Sequence, residues 1–284
     1  MAMRGRLSIL KTLRIFSPAG GEMDARDVAD AFAIAPNLTA VEAIFHRSGV
    51  GMRRSPFEFP WHQLTRVSTA FPSNAEALTT LEQLSSIVGL RVEFSASGES
   101  VALPRNFVTL PHLRVLEIML DDPDSMSLNP LSYLLDSLST PLLERLAIQG
   151  MADQGAVLRF VTRSGCAESL KTLHFIHFIA PNHILPILQK LPRLNDLTIG
   201  NFQGGLVTES SVSLVVNTLL SHWHVYVRSN PDAKRLSVKL VDSRRTEDSF
   251  VPAIQEADGL DISFDKSLYI DSLVQSRFKL RHLS

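Results

Sequence analysis

The feature that most constrains the fold is a six-residue pattern, Leu-x-x-Leu-x-Leu with other aliphatic residues allowed, that recurs along the 284-residue chain. Clear copies read Leu113-Arg-Val-Leu-Glu-Ile118, Leu143-Glu-Arg-Leu-Ala-Ile148 and Leu194-Asn-Asp-Leu-Thr-Ile199. The middle positions of the ten copies are Leu13, Val41, Val67, Leu90, Leu116, Leu146, Leu173, Leu197, Leu236 and Leu260. Apart from one longer step before Leu236, the copies keep close to a period of roughly 20 to 29 residues, which indicates an internal repeat.

The segments between the copies carry helical signals. Ser73-Asn-Ala-Glu76 has the form of a capping box and precedes leucines at helical spacing. Asn129-Pro130 combines an N-cap residue with a proline suited to the first turn of a helix. Asp153 precedes a third apolar stripe, which includes Val157 and Phe160. Each unit is therefore predicted to be a short strand, a turn and a helix.

Stacking is what would stabilise such units. One unit alone cannot bury the inner faces of both its strand and its helix, so neighbouring units must share a continuous core. Strands about 4.8 Å apart then form a parallel sheet, and the stack bends because helices are wider than strands. The sequence predicts an α/β leucine-rich-repeat solenoid, a horseshoe with the parallel sheet on the concave face, helices on the convex face and about ten irregular repeats. We expect one domain over residues 1–284, with insert loops at 46–60 and 226–235.

Three longer phrases carry a family resemblance. They are Leu110-Pro-His-Leu-Arg-Val-Leu-Glu-Ile118, Leu142-Leu-Glu-Arg-Leu146 and Leu191-Pro-Arg-Leu-Asn-Asp-Leu-Thr-Ile199. They resemble the leucine-rich-repeat region of F-box proteins, above all the large set in basidiomycete fungi. The resemblance implies a cytoplasmic or nuclear protein whose repeats hold a substrate protein. In that family an upstream F-box binds the adaptor of a cullin–RING ubiquitin ligase.

The two ends depart from that family. The first repeat begins by Leu10, which leaves no room for an F-box ahead of it, so binding of the ubiquitin-ligase adaptor is in doubt. Leu280-Arg-His-Leu283 resembles the opening of a further repeat. Repeat arrays need terminal units with a polar outer face, so both ends look uncapped, as in a fragment, a truncated product or a degenerate paralogue.

The strand residues that alternate with the inward aliphatic side chains are expected to lie on the concave face. Their positive and negative charges nearly balance, which argues against a surface that follows nucleic-acid phosphates and favours a protein partner. The candidate protein-binding residues are Arg14, Glu42, Arg66, Arg91, Glu93, Glu117, Met119, Arg145, Gln149, His174, Ile176, Asp196 and Thr198. We expect replacement of Arg91 and Arg145 together to weaken binding of the partner and to leave the chain folded.

The segment from His46 to Pro60 takes the place of a helix and is rich in turn residues. Long segments without regular structure are often functional. Its candidate contact residues are Arg53, Arg54, Phe57 and Phe59. The alternative is a tethered surface loop in which Phe57 and Phe59 pack on the core.

Composition and motifs argue against several other classes of protein. The 28 basic and 29 acidic residues give a formal charge of -1, unlike a strongly basic nucleic-acid binder. The one cysteine, Cys166, excludes a disulfide framework and a zinc site built from several thiolates. No apolar run reaches the roughly 18 residues that span a bilayer, and no phosphate-binding, dinucleotide, metalloprotease or serine-hydrolase motif is present. We expect no enzyme activity, catalytic residue, cofactor, metal, nucleic-acid partner or membrane partner.

Two functions from different classes remain open. The first is a protein–protein interaction module that recognises a substrate, resembling the receptor end of F-box/leucine-rich-repeat ubiquitin ligases. The alternative is a regulatory scaffold of the ribonuclease-inhibitor kind, which blocks or activates an enzyme and has no link to ubiquitin. Co-purification separates them, because recovery of the ligase adaptor favours the first and recovery of an enzyme alone favours the second.

Overall fold

A computed structural model describes residues 7–17, 32–45, 58–71, 73–94, 107–120, 129–150, 154–176, 184–200, 236–241 and 260–265. The chain divides into two compact units, unit 1 over residues 1–171 and unit 2 over residues 172–284. Most of the insert predicted at 46–60 and all of the insert at 226–235 lie outside the described residues. The single domain over 1–284 stays a prediction.

The described part of unit 1 is built on parallel strands whose register follows the repeat. The strands are β1 (Thr12–Ser17), β2 (Ala40–Phe45), β3 (Arg66–Phe71), β4 (Gly89–Phe94), β5 (Val108–Thr109), β6 (Val115–Leu120), β7 (Leu138–Ser139) and β8 (Arg145–Gln149). They pair in parallel in the order β1-β2-β3-β4-β6-β8, while the short β5 and β7 pair with each other. The middle positions of the repeat, from Leu13 to Leu146, lie opposite one another in successive strands, so the predicted phase is confirmed.

Alternating burial gives most of these strands one face in the core. Leu116, Ile118 and Leu120 of β6 are buried, and the residues between them are half-buried. Leu146 and Ile148 repeat this pattern in β8. A period of two is that of a strand with one side packed and one side near the surface. The aliphatic positions of the repeat therefore form the core in β6 and β8, as the sequence predicts, whereas Leu13 and Ile15 of β1 are half-buried.

Strands β3 and β4 depart from this alternation. Every residue of β4 is buried, and Arg66 is the one residue of β3 that is half-buried. The outward positions Ser68 and Ala70 are each 5% exposed. The expectation that outward strand residues face solvent is therefore wrong for these two strands, because the protein covers them on both sides.

Three helices in the described part of unit 1 confirm the helical signals. They are α1 (Asn74–Leu81), α2 (Asn129–Ser137) and α3 (Gln154–Ser164). At the start of α1 the Oγ atom of Ser73 accepts a hydrogen bond from the Glu76 N–H at 3.3 Å, which satisfies one of the free donors of the first turn. Leu81 in α1 and Phe160 in α3 are fully buried. Each helix thus packs an apolar face on the core.

Arg163 fastens helix α3 to the end of helix α2. Its guanidinium donates to the Leu138 carbonyl at 2.8 Å and to the Leu135 carbonyl, so it satisfies acceptors that the last turn of α2 leaves free. Its Cζ lies 5.1 Å from the centroid of the Phe107 ring. Burial lowers the pKa of Arg163, and the nearby carboxylate of Asp136 raises it in part.

The residue just before the first aliphatic position of a repeat ties that repeat to the preceding one. The Nε2 atom of Gln63 donates to the Ala35 carbonyl at 2.6 Å and to the Leu38 carbonyl at 2.9 Å. Ser169 holds the equivalent position, and its Oγ donates to the Leu143 carbonyl at 2.8 Å. These bonds satisfy turn carbonyls that the strands do not use.

The described part of unit 2 contains strands β9 (Thr172–Ile176), β10 (Asp196–Gly200), β11 (Leu236–Val241) and β12 (Leu260–Asp265) and helix α4 (Ile184–Leu188). The strands pair in parallel in that order. Leu197 of β10 lies opposite Leu173 of β9, as predicted. On β11 it lies opposite Val238, whereas the repeat predicts Leu236 as its partner there. That prediction is wrong by two residues. A slip of two keeps the same side chains on the core face, so the aliphatic pattern alone does not distinguish the two registers.

Parallel strands flanked by helices make the described chain an α/β protein. Two short 3-10 helices, Trp61–Gln63 and Cys166–Glu168, form turns in unit 1. Within the described residues, no helix combines the length and the apolar character needed to cross a membrane.

Candidate protein-binding face

The candidate residues of unit 1 lie on one surface, the outer face, which consists of the side chains that alternate with core residues in β1–β4, β6 and β8. Parallel pairing in constant register places equivalent positions of successive strands side by side in rows. The predicted contact residues on this face are Arg14, Glu42, Arg66, Arg91, Glu93, Glu117, Met119, Arg145 and Gln149. Residues that are far apart in the sequence are thereby brought onto one side of the sheet.

Strands β1 and β2 carry an exposed ion pair on the outer face. Arg14 lies opposite Glu42 in register, and its Nε atom is 3.1 Å from Oε2 of Glu42. The Arg14 side chain is 47% exposed and that of Glu42 is 23% exposed, so the pair remains in contact with water. Such a pair adds only about 0–1 kcal/mol to stability, and both of its groups stay accessible to a partner.

A second ion pair joins β6 and β8 diagonally. Ala147 lies opposite Glu117 in register, and its small side chain leaves space for Arg145, two residues earlier, to approach. Nη2 of Arg145 is 3.4 Å from Oε1 of Glu117, and the two side chains are 44% and 19% exposed. A carboxylate of a partner would have to compete with Glu117 for this guanidinium. Competition of this kind contributes more to the choice of partner than to affinity.

Between these two pairs the outer face is closed to solvent except at Arg66. Arg91 and Glu93 form an ion pair along β4, and their side chains are only 8% and 9% exposed. The prediction that these two residues are surface contacts is wrong, because both side chains are buried within this chain. The accessible part of the outer face is therefore divided into a patch on β1–β2 and a patch on β6–β8.

Two of the remaining candidates in unit 1 extend the second patch. Met119 lies between Glu93 and Gln149 in one row of the sheet, and Met119 and Gln149 are half-buried. An adaptable thioether beside a polar amide and an arginine is typical of protein-binding surfaces. Arg66 is half-buried on β3 and lies opposite Gly89. A side chain at position 89 would come into ordinary van der Waals contact with the Cγ atom of Arg66.

Unit 2 carries the other candidates, on β9 and β10. Thr198 lies opposite His174, and Gly200 lies opposite Ile176. His174, Ile176 and Thr198 are half-buried, and Asp196, at the start of β10, is exposed. The four side chains alternate with the buried residues of their strands, which is the predicted placement.

The loop candidates are only partly within the described residues. Phe59 is 5% exposed and meets the ring of Trp61 edge to face, with the centroids 5.2 Å apart. Phe59 is therefore not a surface contact, because its ring packs in the protein interior, as in the alternative interpretation of this loop. Arg53, Arg54 and Phe57 lie outside the described residues.

A polar row that the sequence interpretation missed borders the strands of unit 1. Arg114, Glu144 and Lys171 each precede a strand at the same position of the repeat. Glu144 pairs with Arg114 on one side and, at 3.3 Å, with Nζ of Lys171 on the other. Their charges alternate in successive repeats. Aligning the copies of the repeat by sequence would have revealed this alternation.

Cys166 does not have the environment of a reactive thiol. The residue is fully buried in a 3-10 turn, and burial raises the pKa of its thiol to about 11. A nucleophilic cysteine needs an accessible thiolate with a lowered pKa. The buried structural role expected from the sequence is the one that fits.

Among the described residues, no three histidine, cysteine, aspartate or glutamate side chains come together as ligands for a metal ion. No protein-family model matches the chain, and neither does any curated protein or solved structure. The outer face therefore has to be interpreted from its own chemistry.

Proposed function

We propose that the chain is a leucine-rich-repeat solenoid that binds a protein partner on the outer face of its parallel sheet. The supporting observation is the charge arrangement of that face, with Arg14–Glu42 and Glu117–Arg145 as partly exposed pairs in fixed register. Neither pair has the burial expected of a structural ion pair. Both present a carboxylate and a planar guanidinium, which favours recognition of a surface that also carries both charges.

The resemblance of the repeats to F-box/leucine-rich-repeat proteins suggests which class of partner to expect. In this proposal the partner is an intracellular substrate protein, and the outer face selects it. A link to the ubiquitin-ligase adaptor is the stronger form of the proposal. A regulatory scaffold of the ribonuclease-inhibitor kind uses the same face, with an enzyme as the partner.

Arg145 and Arg159 allow a matched test of the proposal. Both are partly exposed arginines paired with a more buried carboxylate, with side chains 44% and 54% exposed. Arg145 lies on the outer face, whereas Arg159 pairs with Asp136 between helices α2 and α3. Any general effect of removing a surface arginine should therefore be the same in both variants.

The experiment is affinity capture from the native cell, with quantitative mass spectrometry of wild type, Arg145→Ala and Arg159→Ala. We expect one or more proteins to be retained by wild type and Arg159→Ala and to fall by about tenfold with Arg145→Ala, which corresponds to about 1.4 kcal/mol. Ligase subunits among these proteins support the substrate-receptor form, and an enzyme alone supports the scaffold form. Equal capture by the two variants would contradict binding through the outer face.

A further inference from the structure

A groove in unit 1, which shares only Ala70 with the outer face, has the chemistry of a site for an organic cation. It lies between the end of β3, the turn at Trp61 and helix α1, and its volume is about 470 Å³. Small-molecule sites commonly have volumes of 300 to 1,000 Å³, so a small ligand or one long side chain fits. Among the described residues that line the groove none is cationic, and two, Glu58 and Glu76, are acidic.

Glu76 is the observation that points to a missing partner. Its Oε2 atom is buried and accepts no hydrogen bond from any residue that the structure describes. In a complete capping box this side chain would accept a hydrogen bond from the backbone N–H of Ser73, but among the described residues only the reverse bond, from Glu76 N–H to Ser73 Oγ, is formed. Buried polar atoms are normally paired. The carboxylate oxygen of Glu76 in the groove wall is therefore available to a donor that a ligand brings.

Aromatic rings supply the other half of the site. Phe59, Trp61 and Phe71 line the groove. The rings of Phe59 and Trp61 are nearly perpendicular, at 86°, with centroids 5.2 Å apart. The face of an aromatic ring attracts ammonium and guanidinium groups, and Trp61, which is half-buried, is the ring of this pair that stays partly accessible. A neutral apolar ligand would gain nothing from the two carboxylates.

We infer that this groove binds an organic cation, an alkylammonium or guanidinium group, between the carboxylates of Glu58 and Glu76 and the ring of Trp61. The cation can belong to a free small molecule or to a lysine or arginine side chain of a protein, since both present the same group. The site is independent of the partner proposed for the outer face, and Arg145→Ala should leave it unchanged.

Trp61 provides the readout for a test. In a Trp223→Phe background it is the one remaining tryptophan, so its fluorescence reports on occupancy of the groove. The ligands are n-butylammonium, its neutral isostere 1-butanol, and the N-acetyl methylamides of lysine and arginine. Peptides that carry a central lysine, arginine or alanine form a second arm. Saturation by the free amines identifies a small-molecule site, whereas saturation by the lysine or arginine peptides alone identifies a protein side chain as the source, and either result supports the inference.

Charge removal completes the test. Glu76→Gln keeps the size of the side chain and the backbone N–H that Ser73 accepts, and we expect it to weaken cation binding by about tenfold. Glu58→Gln, at an exposed position, should weaken cation binding as well. It replaces Glu76→Gln as the test variant if Glu76→Gln melts at a lower temperature than wild type. The matched control is Glu82→Gln, at an exposed glutamate that ends α1 and should change affinity by less than about twofold. Equal binding of the neutral isostere, unchanged affinity in both groove variants, or no saturable binding of any cation would overturn the inference.

Discussion

Arg91 donates a hydrogen bond from Nη2 to Oε1 of Glu93 at 3.0 Å, and both side chains are more than nine-tenths buried. The two residues are two apart on β4, and a strand places residues i and i+2 on the same face. The pair therefore lies along one strand, unlike the cross-strand pair of Arg14 and Glu42. Because it is removed from water, its two charges depend on each other far more than those of the exposed pair.

Replacing Arg91 with methionine should destabilise the protein strongly. The change keeps much of the side-chain volume but leaves the Glu93 carboxylate buried without this partner, which costs about 3–5 kcal/mol. The double variant Arg91→Met/Glu93→Leu removes both charges and should recover most of that loss. Urea unfolding of the three proteins gives the free energies, and Arg14→Met, which breaks the exposed pair, should cost no more than about 1 kcal/mol. Equal costs for Arg91→Met and Arg14→Met would contradict the buried pair.

The burial of Arg91 also makes the combined Arg91 and Arg145 variant unsuitable as a test of binding. That variant was expected to stay folded because the sequence places both arginines on the outer face. The side chain of Arg91 is buried and that of Arg145 is not, so loss of binding in the double variant would mix a stability effect with a surface effect. Arg145→Ala alone separates them.

Placing aspartate in the core of β8 should unfold unit 1. Leu146 is fully buried, and an unpaired carboxylate there costs more than about 4 kcal/mol, in the range of the most damaging single substitutions. The matched control is Gln149→Asp, which introduces the same residue on the outward side of the same strand, where we expect a change within about 1 kcal/mol. Circular dichroism melts compare the two. A folded Leu146→Asp protein would contradict the assignment of the two faces.

The sequence predicts those parts of the fold that depend on aliphatic side chains. The register from Leu13 to Leu146 follows from the repeat, because a slip of one residue would turn every core side chain towards the surface. The helix start at Ser73 follows from local hydrogen bonding. The two-residue slip at Val238 escaped prediction, because both registers bury aliphatic side chains equally well.

The candidate site was harder to predict than the fold. Arg14, Glu42, Glu117 and Arg145 lie where the alternation places them and remain partly exposed. Burial of the outer side of β3 and β4 depends on which other parts of the chain cover them, and no pattern within a strand contains that information. The groove beside Glu76 likewise combines residues from three separate elements, and only the fold brings them together.

The inter-repeat hydrogen bonds of Gln63 should contribute measurably to stability. Gln63→Met keeps the length of the side chain but removes the donor to the Ala35 and Leu38 carbonyls. The Ala35 carbonyl keeps its bond from the Leu38 N–H, so the Leu38 carbonyl is the acceptor that loses this donor, at a cost of about 1–3 kcal/mol. Gln83→Met is the control, because the exposed Gln83 amide donates to the Thr79 carbonyl within the same helical region at 3.3 Å, and its loss should cost no more than about 0.5 kcal/mol. Urea unfolding measures both variants, and equal costs would show that the inter-repeat bonds are not stabilising.

Cys166 should be unreactive in the folded protein and should make stability fall in alkaline solution. At pH 8, the fraction of thiolate in a thiol with a pKa of about 11 is roughly a hundredth of that in a thiol with the ordinary pKa. Reaction of Cys166 with Ellman's reagent should therefore be slower in the folded protein than in the unfolded chain by at least about 100-fold. Below the ordinary thiol pKa both states keep the proton and the stability contribution is complete. As the pH rises from the ordinary thiol pKa to about 11, the unfolded state loses its proton while the folded state keeps it, so stability decreases. Cys166→Ala removes this part of the pH dependence, and an identical alkaline slope in wild type and Cys166→Ala would contradict the raised pKa.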